Sequence, residues 1–252
     1  MRTSQWRNFQ WRFGTVALLV ALLVGCVAPA SAPSGSAGES EAASAESGEA
    51  VVLRTSSVSE PTTLDPNLAE DYYSITPIEQ MFLGLTNINN TTNEVEPELA
   101  ESWTTSADGL VWTFKMRSDA KWSDGKPVTA KDVEYSVKRA IKPETASPYA
   151  YVLYIIKNAK SINQTVVPTD TYDIDTMGVK AIDDSTVEFT LEAPASYFLS
   201  ISSMWTLRPV PSWAIEAHGD AWTEPANIVV NGPYKLSEWK AGESLTFVKN
   251  PD

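Results

Sequence analysis

The sequence predicts an α+β fold, on three observations. Helix and strand signals interleave from Val51 to Asp252, no regular βαβ repeat or solenoid period runs through them, and three pairs of strand-like segments each meet at a tight turn. Residues 51–56 are a short apolar strand candidate. Thr76-Pro77 opens a helix through Glu79 to Leu83, with the proline suited to the first turn and Gly84 to the C-terminal cap. Trp103 and residues 110–116 flank Asp108-Gly109, which makes a hairpin. Thr129-Ala130-Lys131-Asp132 has the form of a capping box, and the helix it starts runs through Val133, Val137 and Ile141 until Pro143 stops it. Residues 179–182 and 186–191 alternate around Asp183-Asp184, a second hairpin. Residues 234–239 and 245–248 make a third, turned at Ala241-Gly242.

Ahead of this domain the chain carries an address. Arg2, Arg7 and Arg12 precede an apolar stretch over 15–24, shorter than the roughly 20 residues a membrane-spanning helix needs, as in a cleavable export signal over residues 1–25. It ends Leu23-Val24-Gly25-Cys26, and Cys26 is the only cysteine. That tetrapeptide resembles the bacterial lipobox, whose cysteine receives a diacylglyceryl group. An incidental free cysteine is the plainer alternative. Two acyl chains suffice for stable anchoring where one is marginal, so the mature chain is expected outside the cytoplasmic membrane, tethered to the bilayer by Cys26. Residues 27–50 hold no aromatic, Lys or Arg, carry Glu39, Glu41, Glu46 and Glu49, and read as a self-repelling spacer.

Charge narrows the partners. The chain has a net charge of −13, and loss of the three signal arginines leaves 16 basic against 32 acidic residues, a net of −16. Such a surface repels nucleic acid and anionic headgroups. With one cysteine no intrachain disulfide forms, so the domain must stand on its core.

Catalytic signatures are missing. The sequence has no nucleophile elbow, phosphate loop, dinucleotide fingerprint or paired histidines at metal spacing. The single His218 fits the last turn of a short helix, interacting with free carbonyls. Asp183-Asp184 are turn formers before they are an acid–base pair. Nothing in these motifs points to enzyme activity, a cofactor or a metal. A surface hydrolase using Asp183 or another carboxylate is the remote alternative. Trp103 and Trp112 are assigned to packing, whereas Tyr72-Tyr73, in a polar link before a helix, and Tyr149 after Pro148 need another reason.

Glu60-Pro61-Thr62-Thr63-Leu64-Asp65-Pro66, Pro97-Glu98-Leu99-Ala100-Glu101-Ser102-Trp103, Ala120-Lys121-Trp122-Ser123-Asp124-Gly125-Lys126-Pro127-Val128-Thr129 and Asn231-Gly232-Pro233-Tyr234 occur in series. Together they resemble the family 5 extracellular solute-binding proteins, the oligopeptide and dipeptide receptors of ABC importers. Thr145-Ala146-Ser147-Pro148-Tyr149-Ala150 and Pro209-Val210-Pro211 are similar to the oligopeptide branch.

The resemblance implies a two-lobe receptor of the periplasmic-binding-protein type II kind. Of that receptor this chain would hold the first lobe, incomplete, over 51–252, with the second lobe absent. Residues 51–82 plus 212–252 would form a cleft-facing subdomain and 83–211 an inserted one. It further implies that Glu70, Asp71, Tyr72 and Tyr73 match an extended stretch pairing with a peptide's main chain, and that Tyr149 lines the cleft. Tyr72, Tyr73 and Trp205 are larger than the residues the oligopeptide branch has there, which favours an oligosaccharide or hydrophobic ligand as the alternative to a peptide. The implied partners are a peptide, an ABC permease and the bilayer, with the receptor a monomer.

Overall fold

The computed structural model describes residues 51–251. The signal, Cys26 and the acidic spacer lie outside the described residues. A compact unit comprises Arg54–Asp252. No helix among the described residues is long and apolar enough to cross a membrane.

The largest sheet comprises four antiparallel strands, β3 (Ala100–Thr105), β4 (Val111–Met116), β5 (Val179–Asp183) and β6 (Thr186–Thr190), in the order β3-β4-β6-β5. β3 and β4 join at the Asp108-Gly109 turn, where Gly109 has φ +73°, a conformation an L side chain resists. Strand alternation sends Trp112, Phe114 and Met116 to the buried face. There Phe114 meets Phe189 edge to face at 5.7 Å, and Phe189 lies 5.2 Å from Phe198. Side chains of this size stabilise by about 1.5–3 kcal/mol each when fully buried.

Helix α2 (Ala130–Ile141) packs against β5 and β6 through Val133, Val137, Ala140 and Ile141, a spacing of three and four residues. The expected cap forms. The Asp132 carboxylate accepts the Thr129 N–H at 2.7 Å and its hydroxyl at 3.0 Å. Burial nevertheless pushes the Asp132 carboxyl up, because those bonds offset the lost hydration only in part.

Two sequence expectations need correction. Residues 51–56 form no strand and Val51, Val52 and Leu53 are exposed, because a strand needs a partner and none pairs with it among the described residues. Helix α1 is Tyr72–Met81, starting four residues before Thr76, with Pro77 in its interior and Phe82 as its C-cap. Gly84 does not end it in a left-handed turn. Instead side chains distant in sequence hold that end: Asn231 Oδ1 accepts the Leu83 N–H at 2.9 Å, and buried Arg208 donates to the Phe82 carbonyl. Gly232 donates to Met81 C=O at 2.7 Å, and a Cβ there would sit 2.5 Å from the Met81 carbonyl carbon, so only glycine fits.

A small hairpin of β1 (Thr86–Ile88) and β2 (Val95–Pro97) follows α1. Short helices α3 (Ala159–Asn163), α4 (Phe198–Ile201) and α5 (Ser212–His218) link the rest. The second hairpin expectation corresponds to β5–β6. The third is β7 (Tyr234–Lys240) with β8 (Ser244–Lys249), which packs on α1 and keeps one face largely exposed.

Candidate functional site

The site grows from a turn without regular structure. In Leu64-Asp65-Pro66-Asn67, Asp65 is 2% exposed and its carboxylate accepts two Arg139 N–H groups, at 2.9 and 2.6 Å, and Trp222 Nε1–H at 3.1 Å. Asn67 accepts from the same guanidinium at 2.7 Å and donates to Thr206 C=O at 3.0 Å. This buried clamp ties the turn to α2 and to the short helical turn Trp205–Leu207. A forked guanidinium on a carboxylate fixes geometry as well as charge.

Asp65 C=O then accepts the N–H groups of Leu68 and Ala69, both at 3.0 Å. Ala69 C=O in turn accepts Trp205 Nε1–H at 3.0 Å. The Trp205 ring meets Tyr149 edge-on, centroids 4.8 Å apart, and Tyr149 lies 5.5 Å from Tyr151. Trp205 and Tyr149, 56 positions apart in sequence, thus form one aromatic wall beside Ala69-Glu70.

Glu70 is exposed, and neither its N–H nor its C=O has a hydrogen-bond partner among the described residues. Asp71 is the N-cap of α1: its carboxylate accepts from Ser74 N–H at 2.9 Å, Ser74 Oγ at 2.8 Å and Thr62 Oγ1 at 2.6 Å. Burial pushes the Asp71 carboxyl up, but those bonds outweigh it and hold the group below the ordinary aspartate range. The expectation of an extended stretch over Glu70, Asp71, Tyr72 and Tyr73 is therefore corrected. Tyr72 and Tyr73 lie in the first turn of α1, rings edge to face at 6.0 Å, because the Asp71 cap commits the chain to helix. Among the described residues, Glu70 and the N–H groups of Asp71 and Tyr72 have no hydrogen-bond partner and are open to a ligand's main chain.

Trp205 also borders a polar cleft of about 290 Å³ with Glu79, Gln80, Asn87, Glu98 and Arg208. Arg208 Nη1 lies 3.9 Å from Glu98, whose Oε2 accepts Gly84 N–H at 2.5 Å. Burial lowers the Arg208 pKa and raises that of Glu98, since each gives up hydration that the other restores only in part. A larger depression of about 640 Å³ over Glu101, Arg117 and Asp119 contains none of the candidate residues.

His218 is exposed at the last position of α5. Asp183 accepts Ser185 N–H at 2.8 Å and Thr186 Oγ1 at 2.9 Å, and Asp184 pairs with Lys131, so both serve their turn. Sequence reasoning missed Asn67, Arg139 and Arg208. Nothing in the periodicity of α2 separates buried Arg139 from Lys138, which pairs with Glu134 and Asp175 instead. The signal available was Asp65 inside an otherwise apolar Leu-Asp-Pro turn, a charge that needs a partner if buried.

The chain matches the family described as bacterial extracellular solute-binding proteins, family 5 Middle, over residues 94–252. It is 38% identical over 200 residues to the probable deoxycholate-binding periplasmic protein YgiS of Escherichia coli, covering 79% of this chain and 37% of that protein. It is 42% identical over 195 residues to the periplasmic oligopeptide-binding protein OppA of the same organism, covering 77% and 35%. The solved structure of Burkholderia pseudomallei OppA superposes with a TM-score of 0.71 at 38% identity, covering 76% of this chain and 37% of that one. The chain spans a little over a third of the length of the curated relatives it matches.

Proposed function

This chain belongs to the bacterial extracellular solute-binding proteins of family 5, and from that premise we propose that it is the extracytoplasmic receptor of an ABC importer, capturing peptides without bond chemistry. The observation that carries the reading is the Trp205–Tyr149 wall standing beside the unpaired backbone of Glu70. Main-chain hydrogen bonds are the same for every peptide sequence, and an aromatic wall takes varied side chains. OppA, named as an oligopeptide-binding protein, supports the ligand class. Glu70, Asp71 and Tyr149 face the ligand in this reading, with Tyr72, Tyr73 and Trp205 as flanking aromatics.

The receptor is held at the membrane by diacylglyceryl-Cys26, works as a monomer and hands its ligand to a permease. The cleft-facing subdomain is 51–82 with 212–252, and 83–211 is inserted. Support for that division is that all four strands of the large sheet come from the insert, while β7–β8 packs on α1.

Native mass spectrometry of the whole mature protein, purified without added ligand, tests the reading. Bound masses that fragment as short peptides are expected, followed by saturable heat on titration with mixed di- to pentapeptides. No peptide in either experiment refutes it. A second reading is a flat apolar or sugar ligand, favoured by the aromatic wall and, for the apolar case, by the relative named for deoxycholate. Steroid or hexose-spaced masses select it.

A further inference from the structure

The peptide unit that joins Ala69 to Glu70 is held at its carbonyl and open at its amide. Ala69 is 1% exposed, and its C=O accepts the Trp205 indole N–H at 3.0 Å, the one bond it has among the described residues. Glu70 is exposed, and its N–H has no partner among them. A peptide bond is planar and trans, so its C=O and N–H point to opposite sides. Fixing the Ala69 C=O on the indole therefore fixes the direction of the Glu70 N–H, turned away from the ring.

The indole is itself fixed. Its helical turn is tied down by Asn67, which donates to Thr206 C=O at 3.0 Å, and its ring is backed by Tyr149 at 4.8 Å. The residues flanking Glu70 are fixed as well: Ala69 N–H is spent on Asp65 C=O, and Asp71 is committed to the α1 cap and to Thr62. What the indole bond adds is the tilt of the Ala69-Glu70 peptide. Without that donor a covered carbonyl would be left unpaired, which is costly enough to turn the peptide toward water.

We infer that Trp205 is a positioning residue: its indole N–H, acting through the planar Ala69-Glu70 peptide, holds the Glu70 N–H ready for a carbonyl of the ligand's main chain. The inference rests on the peptide reading above and gives the indole a role that requires no contact between ring and ligand. A donor ordered beforehand lowers the ordering cost of binding. Because the bond goes to main chain, the gain is the same for every peptide sequence, whereas stacking on the ring would favour aromatic side chains.

Isothermal titration of the whole mature protein with Ala-Ala-Ala, Ala-Phe-Ala and Ala-Lys-Ala tests it. The proteins compared are wild type, Trp205→Phe, and a protein with benzothienylalanine at this position, the tryptophan analogue that has sulfur in place of the N–H. The analogue keeps the ring shape and removes only the bond, so it carries the test if the phenylalanine variant does not fold. Among molecules that still bind at one-to-one stoichiometry, affinity should fall by about tenfold, the worth of one hydrogen bond, for all three peptides alike. Unchanged affinity, or a loss confined to Ala-Phe-Ala, overturns the inference and leaves the peptide reading standing. No peptide binding by wild type overturns both. In nitrogen-15 spectra, hydrogen exchange at the Glu70 N–H should slow when trialanine binds and slow less in the analogue protein; equal slowing in both, or none in either, would also refute the positioning role.

Discussion

The sheet under α2 and the turn under Trp205 solve the same problem by different means. In the sheet, backbone groups pair along strands, and stability comes from apolar faces meeting at Phe114, Phe189 and Phe198. In the turn, residues 62–71 have almost no regular structure, and side chains do the pairing: Arg139 on Asp65, Asn67 on Thr206, Trp205 on Ala69, Thr62 on Asp71. Area holds the first region, and a few directional bonds hold the second. A region built on area tolerates small shifts, whereas one built on bonds is either made or broken, which in the function proposed above would hold Glu70 in one position.

The comparison breaks most visibly in the sheet. Phe114→Ala should cost about 3–5 kcal/mol of stability, since it empties the centre of the aromatic cluster, while the protein that remains folded binds ligand with unchanged affinity. Denaturant melts alongside titration check both halves. In the turn, Arg139→Ala should cost about 3 kcal/mol although it removes little apolar surface, because it strands a buried carboxylate. Replacing Asp65 by asparagine in the same chain should then cost less than the two single changes summed, and a double-mutant cycle measures that coupling. Additive effects would show that the clamp is not a unit.

A smaller effect separates the two regions by pH. Asp71→Ala removes the α1 cap and should cost about 1 kcal/mol at neutral pH. The Asp71 carboxyl is held below its ordinary value of 3.8, so its contribution is present above that value and is lost as pH falls through the lower folded-state value. The gap between wild type and Asp71→Ala should therefore close in strong acid, and a gap unchanged there would contradict the capped geometry. The smallest effect belongs to the exposed Lys131–Asp184 pair at the sheet edge, where Lys131→Ala should leave the melting temperature unmoved.

Legibility follows the same line. The hairpin at Asp108-Gly109 and the capping box at Thr129 are encoded within a few residues of themselves, so local patterns sufficed. The strand expected at 51–56 failed because an apolar run states a capacity for pairing but not a partner. The α1 start was misplaced because Pro77 is a strong local signal, and it was outweighed by an Asp71 cap that Thr62 helps to hold. Trp205 and Tyr149 were singled out from their residue types, but no pattern told that they touch.

By itself the sequence determined the interleaved helices and hairpins, the periodic faces that fill the core, and the serial motifs that mark the family. All of these are properties of neighbouring residues, or of order along the chain. Only the tertiary structure decided that Trp205 closes Ala69 C=O across 136 positions, that Asn67 reaches Thr206 across 139, and that Glu70 is left open between them. The physical reason is that a hydrogen bond is satisfied by whichever donor arrives within reach. Which donor arrives is set by how the whole core packs.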